Sequence, residues 1–253
     1  MTRIIALANQ KGGVGKTTTT LNLGAALAER GRRVLLVDLD PQSNLTIGVG
    51  LNPHEQEHTS YDVLHNPTHS PDFAVQHISE HLSLMPATLE MAAAELELAG
   101  QIGREFLLRD ALSHSSRRYD YILIDSPPSL GLFTLNALVT ATEVLIPVQL
   151  EVYALKGLAQ LQQTITLVQR INPRLEIGGI LCTMVDRRKN LSVGVESRVR
   201  ELFGALVYQT IIPDNVRLAE APGAGQPIIE YDSSSAGAQA YRALAKEIDN
   251  VEA

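Results

Sequence analysis

A glycine-rich loop near the amino terminus constrains the fold of this chain more than any other feature. The loop reads Lys-Gly-Gly-Val-Gly-Lys-Thr-Thr over residues 11–18, and it directly follows an apolar run at residues 4–8. Glycines let the backbone amides of a loop turn towards phosphate oxygens, and the amino end of a following helix adds a positive partial charge. The pattern therefore predicts a buried strand, a phosphate-binding loop and a helix that starts near Lys16.

The residue types in the loop assign roles around a bound nucleotide. Lys16 is expected to bridge the β- and γ-phosphates of ATP, and the Thr17 hydroxyl is expected to bind Mg²⁺. The loop departs from the usual phosphate-loop pattern, because Gln10 stands where that pattern has glycine and Lys11 follows it. A solvated Lys11 is the alternative to a role at the nucleotide. The predicted nucleotide-binding residues are Lys11, Gly12, Gly13, Val14, Gly15, Lys16, Thr17 and Thr18.

Short apolar runs alternate with helical patterns along most of the chain. Continuous apolar runs predict strands that are buried on both faces, as in a parallel sheet covered by helices. The predicted strands are residues 4–8, 34–37, 121–124, 144–148, 177–182 and 207–212, and the predicted helices are residues 16–29, 130–141, 155–171, 193–203 and 236–248. We therefore predict a doubly wound α/β fold with a mainly parallel sheet and helices on both faces.

The stretch from Gly48 to Pro86 is the least regular part of the sequence. It contains the turn signals Asn52-Pro53, Asn66-Pro67 and Ser70-Pro71. We predict a surface excursion with one or two small helices. No repeat, flexible linker or low-complexity tail interrupts the chain, which favours a single domain over residues 1–253.

Composition excludes several classes of function. The net charge of −7, with an isoelectric point near 5.5, argues against tight nucleic-acid binding by the monomer unless a local basic patch supplies it. Because Cys182 is the single cysteine, one chain can form neither a disulfide nor a cysteine-bound metal cluster, and we expect this residue in the core. The first apolar run is too short for a signal peptide or a membrane span, which favours a cytoplasmic protein.

Acidic residues follow two of the predicted strands. Asp38 and Asp40 come just after the strand at residues 34–37, and Asp125 follows the strand at residues 121–124. The carboxyl ends of parallel strands are where ligands bind in open α/β sheets. Asp125 has the Walker B arrangement and is predicted to hold the Mg²⁺ shell, and the Pro-Pro turn after it is predicted to sense the γ-phosphate. Helix capping is the alternative role for Asp38 and Asp40.

These motifs, in this order, resemble the ParA/MinD family of deviant-Walker ATPases. The resemblance extends through Cys182 to Arg187 and through Ile212 to Pro222, and so covers nearly the whole chain. It implies that Lys11 reaches across a dimer interface to the nucleotide of the partner subunit, and that Asp40 positions or activates the attacking water. It also implies that Asp38 supports Mg²⁺ through water and that Pro213 and Asn215 contact the adenine. Lys11, Lys16 and Asp40 are therefore the expected catalytic residues.

Within that family the sequence is most similar to the ParA/Soj branch. Its last twelve residues carry two basic and three acidic side chains, unlike the basic amphipathic helix by which MinD-like members bind membrane. The resemblance implies an ATP-dependent sandwich homodimer that binds nonspecific double-stranded DNA at the nucleoid. It also implies a ParB-like partner whose basic N-terminal segment stimulates hydrolysis. Because the chain begins at the strand before the loop, operator recognition is not expected.

The predicted DNA contacts lie in the C-terminal half of the chain. Residues 186–200 hold five basic and two acidic side chains, a local charge of +3. Arg188 and Lys189 are predicted phosphate contacts, and Arg217 matches the family's DNA-binding arginine. An exposed helix face with ordinary ion pairs is the alternative. Asp214 stands where many relatives have a basic residue, and an acid there would weaken contact with DNA phosphates. This favours a second hypothesis, in which the ATP-dependent dimer positions a protein complex and does not act on DNA.

Overall fold

The computed structural model describes residues 2–113 and 115–250, and within them eight strands form one sheet. The strand order is β3-β4-β2-β5-β1-β6-β7-β8, and every pairing is parallel except that of the edge strand β3 with β4. The strands are β1 Arg3–Leu7, β2 Val34–Asp38, β3 Gln76–Ser79, β4 Leu82–Met85, β5 Tyr121–Asp125, β6 Glu143–Gln149, β7 Glu176–Val185 and β8 Val207–Pro213.

Helices cover both faces of the sheet, so the predicted doubly wound α/β fold is confirmed. One apolar core lies under α1, α2, α9, α10 and α11, and the other lies under α3 to α8. The helices are α1 Lys16–Glu29, α2 Asn44–Gly48, α3 Ser60–His65, α4 Met91–Glu97, α5 Leu107–Leu112, α6 Leu132–Thr140, α7 Ala154–Val168, α8 Asn190–Phe203, α9 Val216–Glu220, α10 Ile228–Tyr231 and α11 Ala236–Asp249.

The register of the central strands brings the predicted site together. Strand β5 lies between β1 and β2, and its last residue, Asp125, is beside Leu7 on one side and Asp38 on the other. The glycine-rich loop continues directly from β1. The loop and both carboxylates therefore lie at the same edge of the sheet, where the parallel strands end.

The prediction for residues 48–86 is partly wrong. The segment contains a small helix, α3, as predicted, but it also supplies β3 and β4. All four residues of β4 are buried, and the strand pairs with β2 inside the sheet. A four-residue strand with serine at its second position has too short an apolar run to be recognised in sequence, so only its pairing with β2 defines it.

Two further expectations concern single features of the chain. Cys182 is fully buried in β7, as predicted, and burial raises the pKa of its thiol to about 11. In the part of the chain that the structure describes, no helix combines the length and the apolar character needed to cross a bilayer. The helix predicted near the C-terminus is α11, which ends at Asp249. Residues 251–253, which belong to the twelve-residue C-terminal stretch discussed above, lie outside the described residues.

The buried position of β4 predicts a large loss of stability on truncation. Leu84 is 0% exposed, and Leu84→Ala should lower the free energy of unfolding by about 2–5 kcal/mol, because it removes buried methyl groups and leaves a cavity. Leu89→Ala is a matched control, since Leu89 is 62% exposed, and it should change the free energy by less than about 0.5 kcal/mol. Urea titration followed by circular dichroism measures both. Equal effects would show that β4 does not belong to the core.

Candidate nucleotide site

The glycine-rich loop has the backbone conformation of a phosphate-binding loop. Gly13 and Gly15 have positive φ angles of 71° and 85°, which residues with side chains adopt at a cost. Gly15 directly precedes α1, and its carbonyl accepts a hydrogen bond from Thr19 N at 2.9 Å. The Val14 carbonyl accepts a hydrogen bond of 2.8 Å from Thr183 Oγ1 of β7. The loop is thus held to the sheet at its centre and to the helix at its end.

The loop opens onto a cleft of about 450 Å³, which is within the size range of small-molecule sites. A second depression of about 200 Å³ adjoins it and shares Gly15, Thr18 and Met184 with it. The cleft brings together seven of the predicted residues, Gly12, Gly13, Gly15, Lys16, Thr17, Thr18 and Asp40. The cleft, with the phosphate loop in its lining, and the adjoining depression suit a ligand with a polyphosphate at one end and a bulkier group at the other.

The Asp125 carboxylate lies at the base of the loop and is fully buried. It accepts a hydrogen bond of 2.6 Å from Thr17 Oγ1 and one of 3.3 Å from Thr20 Oγ1. Burial, together with the nearby Asp38, raises the pKa of Asp125. Burial lowers the pKa of Lys16, whereas Asp125 and Asp40 act in the opposite direction. A cation near Asp125 would favour its ionised form.

Asp38 is also fully buried, and the chain itself uses both of its carboxylate oxygens. One oxygen accepts from the backbone N–H of Asp40 at 3.1 Å, and the other accepts from the N–H and hydroxyl of Thr46 at 3.0 and 2.7 Å. Asp38 therefore fixes the loop between β2 and α2, and it does not line the cleft. Its water-mediated role at Mg²⁺ stays a prediction.

Asp40 lies at the cleft wall, two residues beyond β2. One of its oxygens accepts a hydrogen bond of 2.9 Å from the N–H of Gln42, which orients the carboxylate. The other oxygen makes no hydrogen bond to any residue in the described ranges. An oriented carboxylate with one oxygen available has the chemistry to accept a hydrogen bond from a water molecule.

Lys11 lies beside the loop but outside the cleft. Its side chain is 44% exposed, and its ammonium pairs with Glu151 and donates to Gln149 Oε1 at 3.3 Å. The backbone of Lys11 is fixed, because its N–H donates to Asn9 Oδ1 at 3.0 Å. Lys11 is thus held at the end of β6 on the surface that surrounds the mouth of the cleft.

The two predicted adenine contacts lie in the smaller depression. Pro213 ends β8, and Asn215 follows it as the cap of α9. Asn215 Oδ1 accepts a hydrogen bond of 2.9 Å from the N–H of Arg217, so the side-chain oxygen is used within the protein. The side-chain NH₂ of Asn215 has no hydrogen-bond partner in residues 2–113 and 115–250, and it remains available as a donor to a bound base.

The three predicted DNA contacts each face a carboxylate. Arg188 forms a bidentate pair with Asp186 at 2.9 and 3.0 Å, and Lys189 is 3.8 Å from the same residue. The Arg188 pair lowers the pKa of Asp186 to about 2. The pair with Asp186 raises the pKa of Arg188, and Asp214 adds a smaller effect in the same direction.

Arg217 lies apart from that pair of cations and is bound to acids of its own. It contacts Glu220 at 2.8 Å and Asp232 at 3.6 Å. Farther along the basic stretch, Arg198 pairs with Glu201, an acid just outside the counted window. The alternative interpretation of this region is an exposed helix face with ordinary ion pairs, and such ion pairs are present. DNA binding by Arg188, Lys189 and Arg217 stays a prediction.

Several supporting residues were missed at the sequence level. Thr183 holds the loop, Thr46 holds Asp38, and Asn9 Nδ2 donates to the carbonyl of Pro147 at 2.7 Å. Asn9 and Thr183 each lie just after an apolar run that predicts a strand, which is a usable signal. Thr46 has no comparable signal, because its role depends on the path of the loop after β2.

The oxygen donors in the cleft fit Mg²⁺. Thr17 and Asp125 place a hydroxyl and a carboxylate 2.6 Å apart next to the phosphate loop. Among the described residues, no group of three or more His, Cys, Asp or Glu side chains could hold a metal by itself. Mg²⁺ commonly binds through one or two protein oxygens together with water and phosphate, so this sparse donor set suits it.

The fold and the loop define a P-loop nucleotide-binding protein. A family model described as an AAA domain matches residues 2–177. The sporulation initiation inhibitor protein Soj of Bacillus subtilis is 52% identical over 98% of each chain, and the chromosome partitioning protein ParA of Myxococcus xanthus is 51% identical over 97% of this chain and 87% of its own. The chain belongs to the ParA/Soj family of P-loop ATPases.

A solved structure supports the same fold assignment. Cobyrinic acid a,c-diamide synthase from Mycobacterium smegmatis, with bound ADP and magnesium, superimposes with a TM-score of 0.84. It is 40% identical, and the match covers 97% of this chain and 93% of that chain. The fold of this solved structure therefore agrees with the family assignment made from sequence similarity.

The hydrogen bond from Thr183 to the loop gives a test of the site. Thr183→Val removes the hydroxyl at nearly constant volume and should weaken binding of a non-hydrolysable ATP analogue by about fivefold, since such a bond contributes about 1 kcal/mol. Thr166→Val is the control, because Thr166 is exposed on α7 and bonds only to its own helix. Isothermal titration calorimetry with Mg²⁺ measures both. Wild-type affinity in Thr183→Val would contradict a role in holding the loop.

Proposed function

We propose that this protein is a Mg²⁺-dependent ATPase that dimerises with ATP, binds DNA without sequence preference and drives chromosome or plasmid segregation. The observation that most directly supports ATP-dependent dimerisation is the position of Lys11. This residue lies next to the phosphate loop yet outside the cleft of its own chain. The names of the Soj and ParA relatives support a partition role.

The proposed chemistry is hydrolysis of the γ-phosphate by water. Lys16 and the amides of the loop bind the phosphates and stabilise the charge that develops on them. Thr17 and Asp125 hold Mg²⁺, which would neutralise phosphate charge when bound. Asp40 orients the attacking water through its available oxygen, in the position expected of a water-positioning carboxylate. Pro213 and Asn215 contact the adenine in the smaller depression.

Dimerisation in this proposal depends on an exchange of partners by Lys11. The lysine leaves Glu151 and Gln149 and binds the phosphates of the nucleotide in the second subunit. The exposed Lys11–Glu151 pair contributes little stability, because solvent screens it and both side chains are free to move. Phosphate therefore competes well for the lysine, and ATP stabilises the homodimer.

The remaining parts of the proposal concern organisation and partners. Strands from the whole length of the chain form one sheet, which supports a single domain over residues 1–253. The acidic chain suits a ParB-like partner with a basic N-terminal segment, which would stimulate hydrolysis. We place the protein in the cytoplasm, associated with the nucleoid and not with membrane.

A second candidate is a switch of the same type that positions a protein complex. The carboxylates that pair with Arg188 and Arg217 favour it, and so does the acidic Asp214, which adds a small electrostatic effect on Arg188. Under this hypothesis the Arg188→Glu, Lys189→Glu and Arg217→Glu triple variant keeps its localisation in cells. The synthase name of the M. smegmatis structure raises a third possibility, which ATP-dependent consumption of a small acid substrate would support.

Two substitutions separate nucleotide binding from hydrolysis. Asp40→Ala should keep ATP binding and accumulate the dimer, with hydrolysis reduced at least about 100-fold because the water is no longer positioned. Lys16→Ala should abolish nucleotide binding, because the main phosphate-binding cation is lost. Calorimetry and a phosphate-release assay measure these effects. Normal turnover by Asp40→Ala would show that another group positions the water.

DNA binding is tested with the Asp40→Ala protein and a random DNA duplex. Sedimentation with ATP should show a dimer whose DNA affinity falls as salt rises, and ADP should give much weaker binding. Wild-type protein with ADP is the control for nucleotide dependence. Dimers without DNA affinity would overturn the segregation proposal and favour the protein-positioning hypothesis.

A further inference from the structure

A short loop joins β5 to α6 at the wall of the nucleotide cleft. We name it the Pro-Pro loop and define it as residues 126–131. Pro128 lines the cleft, and a Cβ added to Gly12 of the phosphate loop would lie 3.8 Å from Pro128 Cβ, which is van der Waals contact. The Pro-Pro loop thus packs against the phosphate loop, and its position sets one wall of the cleft.

The Pro-Pro loop is fixed to the core at its beginning and to α6 at its end. Ser126 is 1% exposed, and its hydroxyl donates a hydrogen bond of 2.8 Å to the carbonyl of Leu7 at the end of β1. Residues 128–130, by contrast, are exposed. Thr134 Oγ1 of α6 donates to the carbonyl of Ser129 at 2.6 Å. The exposed part of the loop is therefore bound to the first turn of α6, and its position depends on how that turn is held.

The first turn of α6 is capped by a side chain from a different helix. Gly131 directly precedes α6, and a glycine has no side chain that could accept a hydrogen bond from the helix. Instead, the N–H of Leu132 donates to Oε1 of Glu95 in α4 at 2.7 Å. A carboxylate at this place also interacts favourably with the positive end of the helix dipole. Glu95 therefore supplies the acceptor that an N-cap residue provides in other helices.

The apolar core holds α4 in place, so Glu95 is a fixed support. Helix α4 and the turn after it bury three residues at helical spacing, Met91, Ala94 and Leu98. These side chains pack in the same core as Leu132 of α6. Glu95 itself is partly buried, and no basic side chain among the described residues forms an ion pair with it. The helix end at Leu132 is therefore the partner of its carboxylate.

The glycine at the end of the Pro-Pro loop fits this contact. A Cβ on Gly131 would overlap Oε1 of Glu95 and would lie 3.1 Å from its Cδ. The backbone of Gly131, with φ −81° and ψ −166°, is in the extended region that any residue adopts. The space taken by the carboxylate, and not the backbone conformation, therefore accounts for glycine here. An alanine at this position would displace the flexible carboxylate from the N–H of Leu132.

We propose that Glu95 is a positioning residue for ATP hydrolysis, which holds the Pro-Pro loop at the cleft through the first turn of α6. The inference rests on the hydrolysis proposed above and adds a residue that lies outside the cleft lining. Small displacements of the groups around a reacting phosphate have large effects on rate. The phosphate loop has its own contacts to Thr183 and α1. Loss of Glu95 therefore slows hydrolysis more than it weakens ATP binding.

Steady-state kinetics of three variants test the proposal. Glu95→Ala should lower kcat about tenfold, which corresponds to about 1.4 kcal/mol, while the KM for ATP changes less than about twofold. Glu95→Gln keeps an oxygen that accepts from the N–H of Leu132, and its kcat should stay within about threefold of the wild-type value. Glu97→Ala is the control, because it removes the same charge from the same helix but Glu97 contacts α3. Phosphate release is measured against Lys16→Ala as background.

A double-mutant cycle tests the contact itself. Gly131→Ala displaces the Glu95 carboxylate and should lower kcat by a similar factor of about ten. The double variant, Glu95→Ala with Gly131→Ala, should be no more than about twofold slower than either single variant, because both remove one contact. Hydrogen exchange followed by mass spectrometry, with a bound ATP analogue, should be faster over residues 126–132 in these variants and unchanged in Glu97→Ala.

The outcomes separate failure of this inference from failure of the proposed function. Wild-type circular dichroism and affinity for the ATP analogue show that a variant is folded. If the wild-type protein hydrolyses ATP and Glu95→Ala keeps its kcat, or loses only in KM, the positioning role is wrong and the ATPase function stands. Effects that multiply in the double variant, or loop exchange equal to that of Glu97→Ala, would also overturn it. If the wild-type protein releases no phosphate above the Lys16→Ala background, both are wrong.

Discussion

The buried Asp125 carboxylate is the group on which the arrangement of the nucleotide site depends. It lies at the end of a central strand, with no solvent to stabilise its charge, so nearby groups must do so. Thr17 and Thr20 donate hydrogen bonds from α1, and Lys16 contributes a positive charge. These contacts fix the first turn of α1 against β5. The same contacts place a hydroxyl and a carboxylate where Mg²⁺ and a phosphate would complete the charge balance.

The buried carboxylate of Asp38 has a different role from that of Asp125, although in the sequence both residues follow an apolar run that predicts a strand. Asp38 uses both oxygens to hold the backbone between β2 and α2, and this holds Asp40 at the cleft wall. Asp38 thus acts on the site through Asp40 in this structure. Asp38 and Asp125 are adjacent across the sheet, and burial raises the pKa of both carboxyl groups. The negative charge of Asp38 raises the pKa of Asp125 further, because a second negative charge nearby is unfavourable.

The ion pairs of the folded chain limit what a count of charges along the sequence can say about a basic surface. Counting charges along residues 186–200 locates a basic patch, but the folded chain pairs Arg188, Arg198 and Arg200 with nearby acids. Charge counts along the chain therefore overstate the free positive charge of this surface, because the fold supplies acids such as Glu201 from outside the counted window.

The sequence by itself determined the phosphate loop, the helix after it, the doubly wound class and the acids at the strand ends. These features depend on residues close together in the chain, and on long apolar runs that bury both faces of a strand. Only the tertiary structure decided that Leu82–Met85 is a core strand, that Asp38 holds a loop, and that Arg188 pairs with Asp186. The reason is physical: burial, ion pairing and register are set by contacts between segments distant in sequence, and a linear pattern does not specify them.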